Sequence, residues 1–198
     1  MPPLAEPVYT AEEYLAMERA SDRRSELVNG RIYAMTGASF AHIRIVRNLV
    51  VAIGSRLGDG PCDAFSNDLR VKVSQTGMYT YPDVVGLCDP PQFEDAHRDT
   101  LLNPAVIIEV LSPSTEAYDR GTKFSHYRKI ASLREYVPVA QNEMHVEQYI
   151  RHGEHWMLAE ITGSDAVLRV ETLGCGLPLG EIYRRVDFPP GGPVRTAG

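Results

Sequence analysis

The feature that most constrains the fold of this chain is a continuous apolar run at residues 105–111, interrupted once by Glu109. Its β-branched residues and the prolines on either side predict a strand that is buried on both faces. A carboxylate buried alone in such a strand is costly unless it is paired or protonated. Glu109 therefore needs a cation as its partner, either a bound metal ion or Lys123. A purely structural pair with an Arg or Lys satisfies the same need, so the run alone does not identify a site.

Length and composition are those of an ordinary globular protein. The chain has 198 residues, of which 43% are hydrophobic and 23% are charged. These values predict one domain spanning residues 1–198, with flexible tails at 1–8 and 189–198. No apolar run is long enough to span a membrane, and the N-terminus lacks a signal-peptide pattern.

Cysteine content and charge narrow the class of protein further. Cys62, Cys88 and Cys175 are odd in number, far apart and without metal-binding spacing. They predict reduced thiols and a cytoplasmic protein. The net charge of −6 argues against a protein that coats nucleic acid non-specifically. It is compatible with an enzyme that meets DNA through one local basic face.

The first half of the chain is predicted to alternate helices with short strands. The predicted elements are a helix at 10–20, a hairpin at 24–35 turning at Asn29-Gly30, a helix at 39–57, a strand at 62–73 and a strand opening at Pro82-Asp83. Glu26 lies on the first hairpin strand, where an exposed charge is the ordinary interpretation. His42 lies in the first turn of the second helix, as a packed or capping group or as a group that faces a phosphate.

The second half continues from the buried strand into a predicted helix at 118–132, and further strands follow at 135–140 and 145–151. Residues 89–103 are predicted to form a loop. Asp119, Lys123 and Tyr127 are spaced to share one face of the helix. The ordinary interpretation of Asp119 and Lys123 is a solvated ion pair, which contributes only a few tenths of a kcal/mol.

Asp83 and Glu109 form a pair of acids on neighbouring predicted strands. Such a pair suits a divalent cation, because Mg²⁺ prefers oxygen ligands and takes few of them from the protein. A metal ion at this point polarises a phosphoryl oxygen and lowers the pKa of a bound water. A nearby lysine can orient that water and offset charge in the transition state.

The ordered set of motifs resembles the PD-(D/E)XK nuclease superfamily. More closely, it is similar to the bacterial, cyanobacteria-rich family of Uma-type restriction endonucleases. The resemblance covers about residues 9–183. The matching segments are Glu26-Leu27-Val28-Asn29-Gly30, His42, Asp68-Leu69-Arg70-Val71, Pro82-Asp83-Val84, the run from Ile108 to Thr115, Asp119 with Lys123 and Tyr127, and the segments 135–137 and 146–149.

This resemblance implies an α+β, restriction-endonuclease-like fold, with a mixed β-sheet flanked by helices. It also implies Mg²⁺ or Mn²⁺ as cofactor, held by Asp83 and Glu109, with the Val110 carbonyl as a candidate third ligand. The superfamily places its lysine two residues after the second acid, where this chain has Leu111. The family places it on the following helix instead, which points to Lys123.

Three weaker assignments follow from the same resemblance. Glu26 is implied as an accessory catalytic acid near the metal, and His42 and Asp119 are secondary candidates. The partners implied are DNA as the substrate and a second copy of the chain. A homodimer is expected because two sites cut both strands of a duplex most simply.

Three functions remain open from the sequence. The first is a metal-dependent endonuclease that hydrolyses DNA phosphodiester bonds. The second, motivated by Leu111, is a catalytically inactive protein of the same fold that binds nucleic acid or regulates. The third is a hydrolase such as a glycosidase that uses Asp83 and Glu109 as acid and base, without a metal.

Overall fold

A computed structural model describes residues 7–188, so most of the two predicted tails lies outside the described residues. The helical elements in this range are α1 (Ala11–Ala20), α2 (Phe40–Leu57), α3 (Glu116–Tyr118), a π-helical turn (Asp119–Lys123), α4 (Phe124–Tyr127), a 3₁₀ turn (Glu171–Leu173) and α5 (Leu179–Ile182). The two longest begin as the sequence predicts. Thr10 and Glu13 cap α1 reciprocally, and the Ser39 hydroxyl accepts a hydrogen bond from the His42 amide at the start of α2.

Thirteen strands occur in the same range. They are β1 (Ser25–Val28), β2 (Arg31–Ala34), β3 (Asp63–Ser66), β4 (Arg70–Val73), β5 (Met78–Thr80), β6 (Val84–Leu87), β7 (Thr100–Leu101), β8 (Val106–Leu111), β9 (Glu135–Ala140), β10 (His145–His152), β11 (His155–Thr162), β12 (Val167–Val170) and β13 (Cys175–Pro178). One sheet has the order β2-β1-β5-β4-β7 and the other the order β11-β10-β9-β8-β6-β3, while β12 and β13 form a separate ribbon. The pairs β4–β7 and β8–β9 are parallel, and the other pairs are antiparallel.

Three apolar clusters hold these elements in layers. The largest lies between α2, the β12–β13 ribbon and one face of the six-stranded sheet. A second fills the space between the two sheets. A third packs α1 onto the outer face of β1 and β5, around Tyr14 and Leu27. The predicted α+β class, with a mixed β-sheet flanked by helices, is confirmed, and the strands are divided between two sheets and a ribbon.

The alternation of β8 decides where Glu109 points. Val106, Ile108 and Val110 face the cluster beneath α2, whereas Ile107 faces the cluster between the sheets. Successive side chains on a strand point to opposite faces. Glu109 therefore points into the space between the two sheets, as Ile107 does.

Two predicted elements are divided in the structure. The predicted strand at 62–73 is wrong as one element, because residues 67–69 form a turn that separates β3 in one sheet from β4 in the other. The predicted helix at 118–132 is also wrong as one element. It is replaced by α3, the π-helical turn and α4, and regular helix ends at Tyr127. The predicted loop at 89–103 contains the short strand β7.

The prediction that all three cysteines are reduced is wrong. Cys62 and Cys88 form a disulfide, whereas Cys175 is free and buried. Cys62 directly precedes β3, and Cys88 directly follows β6. The antiparallel register that pairs Asp63 with Leu87 places the two cysteines opposite each other. The two cysteines are 26 residues apart in sequence, and strand pairing brings them together, so the disulfide could not be predicted from their spacing.

No helix within residues 7–188 is both long and apolar enough to cross a membrane.

Two glycines give a matched test of the packing around β6. A Cβ added at Gly86 would lie 3.0 Å from a Leu173 methyl carbon and 3.1 Å from the Val106 Cβ. A Cβ at the exposed, helical Gly54 would meet nothing within 4 Å. We expect Gly86→Ala to lower the free energy of unfolding by about 1–3 kcal/mol through overpacking. We expect Gly54→Ala to raise it by about 0.5–1 kcal/mol through helix propensity. Urea unfolding measures both, and a Gly86→Ala variant as stable as its parent contradicts this account.

Candidate active site

Four acidic side chains and one lysine converge between the two sheets. The Lys123 Nζ lies 3.0 Å from Glu109 Oε1, 3.1 Å from Glu26 Oε1 and 3.7 Å from Asp119 Oδ1. The fourth acid, Asp83, stands one residue before β6, whose Val84 pairs with Ile108 beside Glu109. All five residues are at most 8% exposed. The structure thus brings together the residues that the sequence singled out separately on β1, β6, β8 and the following helix.

Lys123 reaches Glu109 because the chain after β8 turns back over the sheet. α3 leads into the π-helical turn Asp119–Lys123, and the Tyr136 hydroxyl holds that turn by donating to the Asp119 carbonyl at 3.1 Å. The amine then points inward rather than into solvent. The interpretation of Asp119 and Lys123 as a solvated ion pair is wrong, since they are only 4% and 7% exposed.

Asp83 is held by two hydrogen bonds. Its Oδ2 accepts from the backbone amide of Val110 at 2.7 Å, and its Oδ1 lies 2.9 Å from His42 Nε2. The first bond ties the acid to the strand that carries Glu109. The second ties it to the N-terminal turn of α2. His42 therefore contacts an acid of the site directly.

Tyr127 and Thr80 complete the cluster, although neither was predicted as a site residue. The Tyr127 hydroxyl donates to Glu109 Oε1 at 2.7 Å and lies 3.2 Å from Thr80 Oγ1. Thr80 donates to Glu26 Oε1 at 2.5 Å. These bonds link Glu26 to Glu109 through two hydroxyls. The shared helical face of Lys123 and Tyr127 was a usable signal for Tyr127, whereas the three-residue strand β5 gave none for Thr80.

Burial and mutual repulsion perturb the ionisation of this cluster. Burial is the main cause that raises the pKa of Glu109 to about 8, with Asp83 and Asp119 adding to it and Lys123 opposing it. Burial also raises the pKa of Asp119 against the opposing effect of Lys123. Burial lowers the pKa of Lys123, but Glu109 and the surrounding acids outweigh it and raise that pKa well above its usual range. The lysine is therefore charged, and the acids outnumber it.

The donor set suits a divalent cation that prefers oxygen ligands. Both hydrogen bonds from Lys123 and Tyr127 end on Glu109 Oε1, and Glu109 Oε2 accepts none from the residues described. Across residues 7–188, no group of three or more acidic, histidine or cysteine side chains is arranged to hold a metal by itself. Mg²⁺ needs only one or two carboxylates, because waters and substrate phosphate complete its octahedron. The site has four buried acidic side chains and one lysine, so a bound cation would balance negative charge that Lys123 leaves uncompensated.

Comparisons with known proteins identify the family of this chain. The family described as "Putative restriction endonuclease", Uma2, matches residues 11–180. The chain is 36% identical over 160 residues to the protein sll1609 of Synechocystis sp., covering 80% of this chain and 90% of the relative. It is 34% identical over 183 residues to slr1290 of the same organism, covering 92% and 95%.

A solved structure shares the fold. It is described as a putative nuclease belonging to DUF820 from Anabaena variabilis, and it superposes with a TM-score of 0.73 at 20% identity. The match covers 88% of this chain and 97% of that one. The match to residues 11–180, the two cyanobacterial relatives and the shared fold lead to one conclusion: the chain belongs to the Uma2 family of restriction-endonuclease-like proteins.

Proposed function

We propose that this protein is an endonuclease that hydrolyses DNA phosphodiester bonds with the help of Mg²⁺ or Mn²⁺. The observation that carries the proposal is the contact between Lys123 Nζ and Glu109 Oε1 at 3.0 Å. It gives the site the lysine that Leu111 does not supply. The family description and the nuclease-like neighbour support a nucleic acid as substrate. These findings favour an active enzyme over an inactive binding module of the same fold.

Each residue of the site has a proposed part. Asp83 and Glu109 hold the cation, with the Val110 carbonyl as a third ligand. The cation, when bound, lowers the pKa of a water and polarises the phosphoryl oxygen. Lys123 orients the attacking water and offsets negative charge that builds on the phosphate. Glu26 and Asp119 keep Lys123 protonated and in place, and His42 fixes the orientation of Asp83.

The test is cleavage of labelled DNA by the purified chain with Mn²⁺, Mg²⁺ or a chelator. We expect cleavage with either metal and none with the chelator. Asp83→Asn keeps the shape of the side chain but removes its charge. Mutation of a residue that only supports a metal ligand weakens metal binding by about 10–100-fold, so for a direct ligand we expect at least that loss of Mn²⁺ affinity, measured by calorimetry, with a parallel loss of cleavage.

A matched control is Asp63→Asn, the same substitution at an exposed position on β3. It should bind Mn²⁺ and cleave as the parent does. The proposal fails if single-stranded, duplex and structured DNA all stay intact with either metal. It also fails if Asp83→Asn cleaves as well as the parent. Cleavage that survives the chelator would point to a metal-independent hydrolase instead.

Two further features belong to the proposal. We propose that the protein works as a homodimer, because two sites are the simplest way to cut both strands of a duplex. We also propose that it acts in the cytoplasm, where bacterial DNA lies. Light scattering at working concentration tests the first, and a monomer that cuts both strands would overturn it.

A further inference from the structure

Among the elements within residues 7–188, helix α2 is the one long element that is basic in a chain that is acidic as a whole. The whole sequence has 26 acidic and 20 basic residues, yet α2 contains Arg44, Arg47 and Arg56 and no acid. Its N-terminal turn reaches the acidic site, because His42 contacts Asp83 at 2.9 Å. Arg56 lies in the last turn and pairs with Glu181 at 2.9 Å, so Arg44 and Arg47 are the basic residues on the end of α2 that reaches the acids.

Large apolar side chains are exposed on the same end of α2. Phe40 is 69% exposed and Ile43 is 54% exposed. The Arg44 guanidinium lies over the Phe40 ring at 4.3 Å from its centroid. The Arg44 side chain is 19% exposed, and it also meets the exposed Asp187 at 3.6 Å and donates to the Arg185 carbonyl. Arg47 is exposed one turn further along the helix. Phe40, Ile43, Arg44 and Arg47 thus form one outward-facing patch on the first two turns of α2, the same turns from which His42 reaches Asp83 on the inner side.

A second exposed aromatic, Tyr33, lies at the rim of the same site. Tyr33 pairs directly with Glu26 across β1 and β2, and directly paired residues share one face of a sheet. Glu26 in turn contacts Lys123 at 3.1 Å. Tyr33 is nevertheless 51% exposed.

We propose that this rim binds single-stranded DNA, with Phe40 and Tyr33 stacking on unpaired bases and with Arg44 and Arg47 contacting phosphates. The substrate class that follows is DNA with unpaired bases beside the scissile bond. This inference rests on the proposed function for the cleavage step but not for the binding step. In an intact duplex the base faces are already stacked on one another, so exposed aromatic rings have no face to bind.

The charge balance supports stacking as the main source of affinity. Proteins that bind duplex DNA through its phosphate backbone use many Lys and Arg side chains to neutralise phosphates. A chain with a net charge of −6 has few basic side chains in excess for such contacts. Stacking on aromatic rings needs no charge and tolerates any sequence. Two phosphate contacts predict a slope of about −1.4 in a plot of log binding constant against log salt concentration for a single strand.

The test is fluorescence anisotropy of a labelled DNA single strand and of its duplex, with the full chain in a chelator so that nothing is cut. We expect the protein to bind the single strand at least about 10-fold more tightly than the duplex. Stacking of one base on one aromatic ring contributes about that factor, and the duplex has no free base face to stack. Phe40→Ala should weaken single-strand binding by about 10-fold. Because Phe40 is exposed, this substitution leaves the core intact.

Phe65→Ala is the matched control, and its affinity should be unchanged. Phe65 is an exposed aromatic on β3, next to Ala64, which packs beneath α2, so Phe65 points to the opposite face of the sheet. Equal or tighter binding of the duplex overturns the inference, as does a Phe40→Ala variant of unchanged affinity. If the single strand binds as expected but Mn²⁺ induces no cleavage, the proposed function fails and this inference stands. If duplex DNA is cut without any single-strand preference, the inference fails alone.

Discussion

Lys123→Ala is expected to abolish cleavage and to destabilise the fold at the same time. The substitution removes the one lysine that contacts Glu109, Glu26 and Asp119. A buried charge that loses its partner destabilises a protein by about 3–5 kcal/mol. Because the pKa of Glu109 is raised to about 8, this side chain is largely neutral at pH 7 even in the parent, so we expect the lower end of that range, a loss of about 3 kcal/mol. If the proposed role is right, the cleavage rate falls by about 10²–10³-fold as well.

The control is Lys129→Ala, the same substitution at an exposed lysine two residues after α4. We expect it to change stability by less than about 0.5 kcal/mol. The double variant Lys123→Gln with Glu109→Gln keeps the fold measurable, since replacing both partners is far less costly than removing one. Urea unfolding should show that the double variant is more stable than Lys123→Ala. A single Lys123→Ala variant that is as stable as its parent would show that the amine is not paired as the structure has it.

Glu109 and Asp83 could be predicted as site residues because a charged residue within an apolar segment is easily recognised in the sequence. Glu109 interrupts an otherwise apolar run, and Asp83 opens a short apolar strand after a proline. Each position is unfavourable unless something compensates it, which singles the residue out. Lys123 does not lie in an apolar segment of this kind. Its spacing from Asp119 fits a solvated ion pair equally well. Lys123 was a candidate because Glu109 needs a cation as its partner, and the family resemblance then gave it a role in the site.

Other parts of the site depend on contacts that no local pattern encodes. Thr80 contacts Glu26 and Tyr127 from a strand too short for alternation to be read. The π-helical turn that delivers Lys123 replaces a regular helix, because its position is set by packing against Tyr136 rather than by propensity. The disulfide between Cys62 and Cys88 depends on strand register in the same way. Long-range pairing decided all three features.

The two halves of the predicted strand at 62–73 belong to different sheets, and this division determines what covers Glu109. Because the chain crosses from the six-stranded sheet to the five-stranded sheet at residues 67–69, the second sheet lies over the face of β8 that carries Glu109. Glu26 and Thr80 belong to that second sheet. In the single sheet that the family resemblance implied, a flanking helix would have covered Glu109, whereas in the structure a second sheet helps to cover it. The perturbed pKa of Glu109 is thus a product of the two-sheet architecture.

Glu109→Gln is expected to make the protein more stable while removing its activity. The glutamine keeps an oxygen that accepts the hydrogen bonds from Lys123 and Tyr127, but it carries no charge. In the folded protein the pKa of Glu109 is raised to about 8 from 4.5, so between these values the folded state holds a proton that the unfolded state releases. Stability of the parent therefore falls as pH rises through this window, and it stays low above about pH 8.

The variant lacks this dependence, so the difference in unfolding free energy between variant and parent should grow from near zero at pH 4.5 to a plateau above pH 8. The opposing effect of Lys123 is already contained in the pKa of about 8, and we expect a plateau of about 3–5 kcal/mol. Urea unfolding at several pH values measures the difference, and titration of other groups cancels from it. Glu160→Gln, at an exposed glutamate on β11, is the control and should give a flat line. A Glu109→Gln difference that is flat or falls with pH would mean that Glu109 is stably ionised in the fold. We expect Glu109→Gln to lose cleavage by at least about 10³-fold, because a neutral glutamine cannot hold the metal as the carboxylate is proposed to do. A variant that is more stable but inactive would show that Glu109 lowers the stability of the protein and is retained for its chemistry.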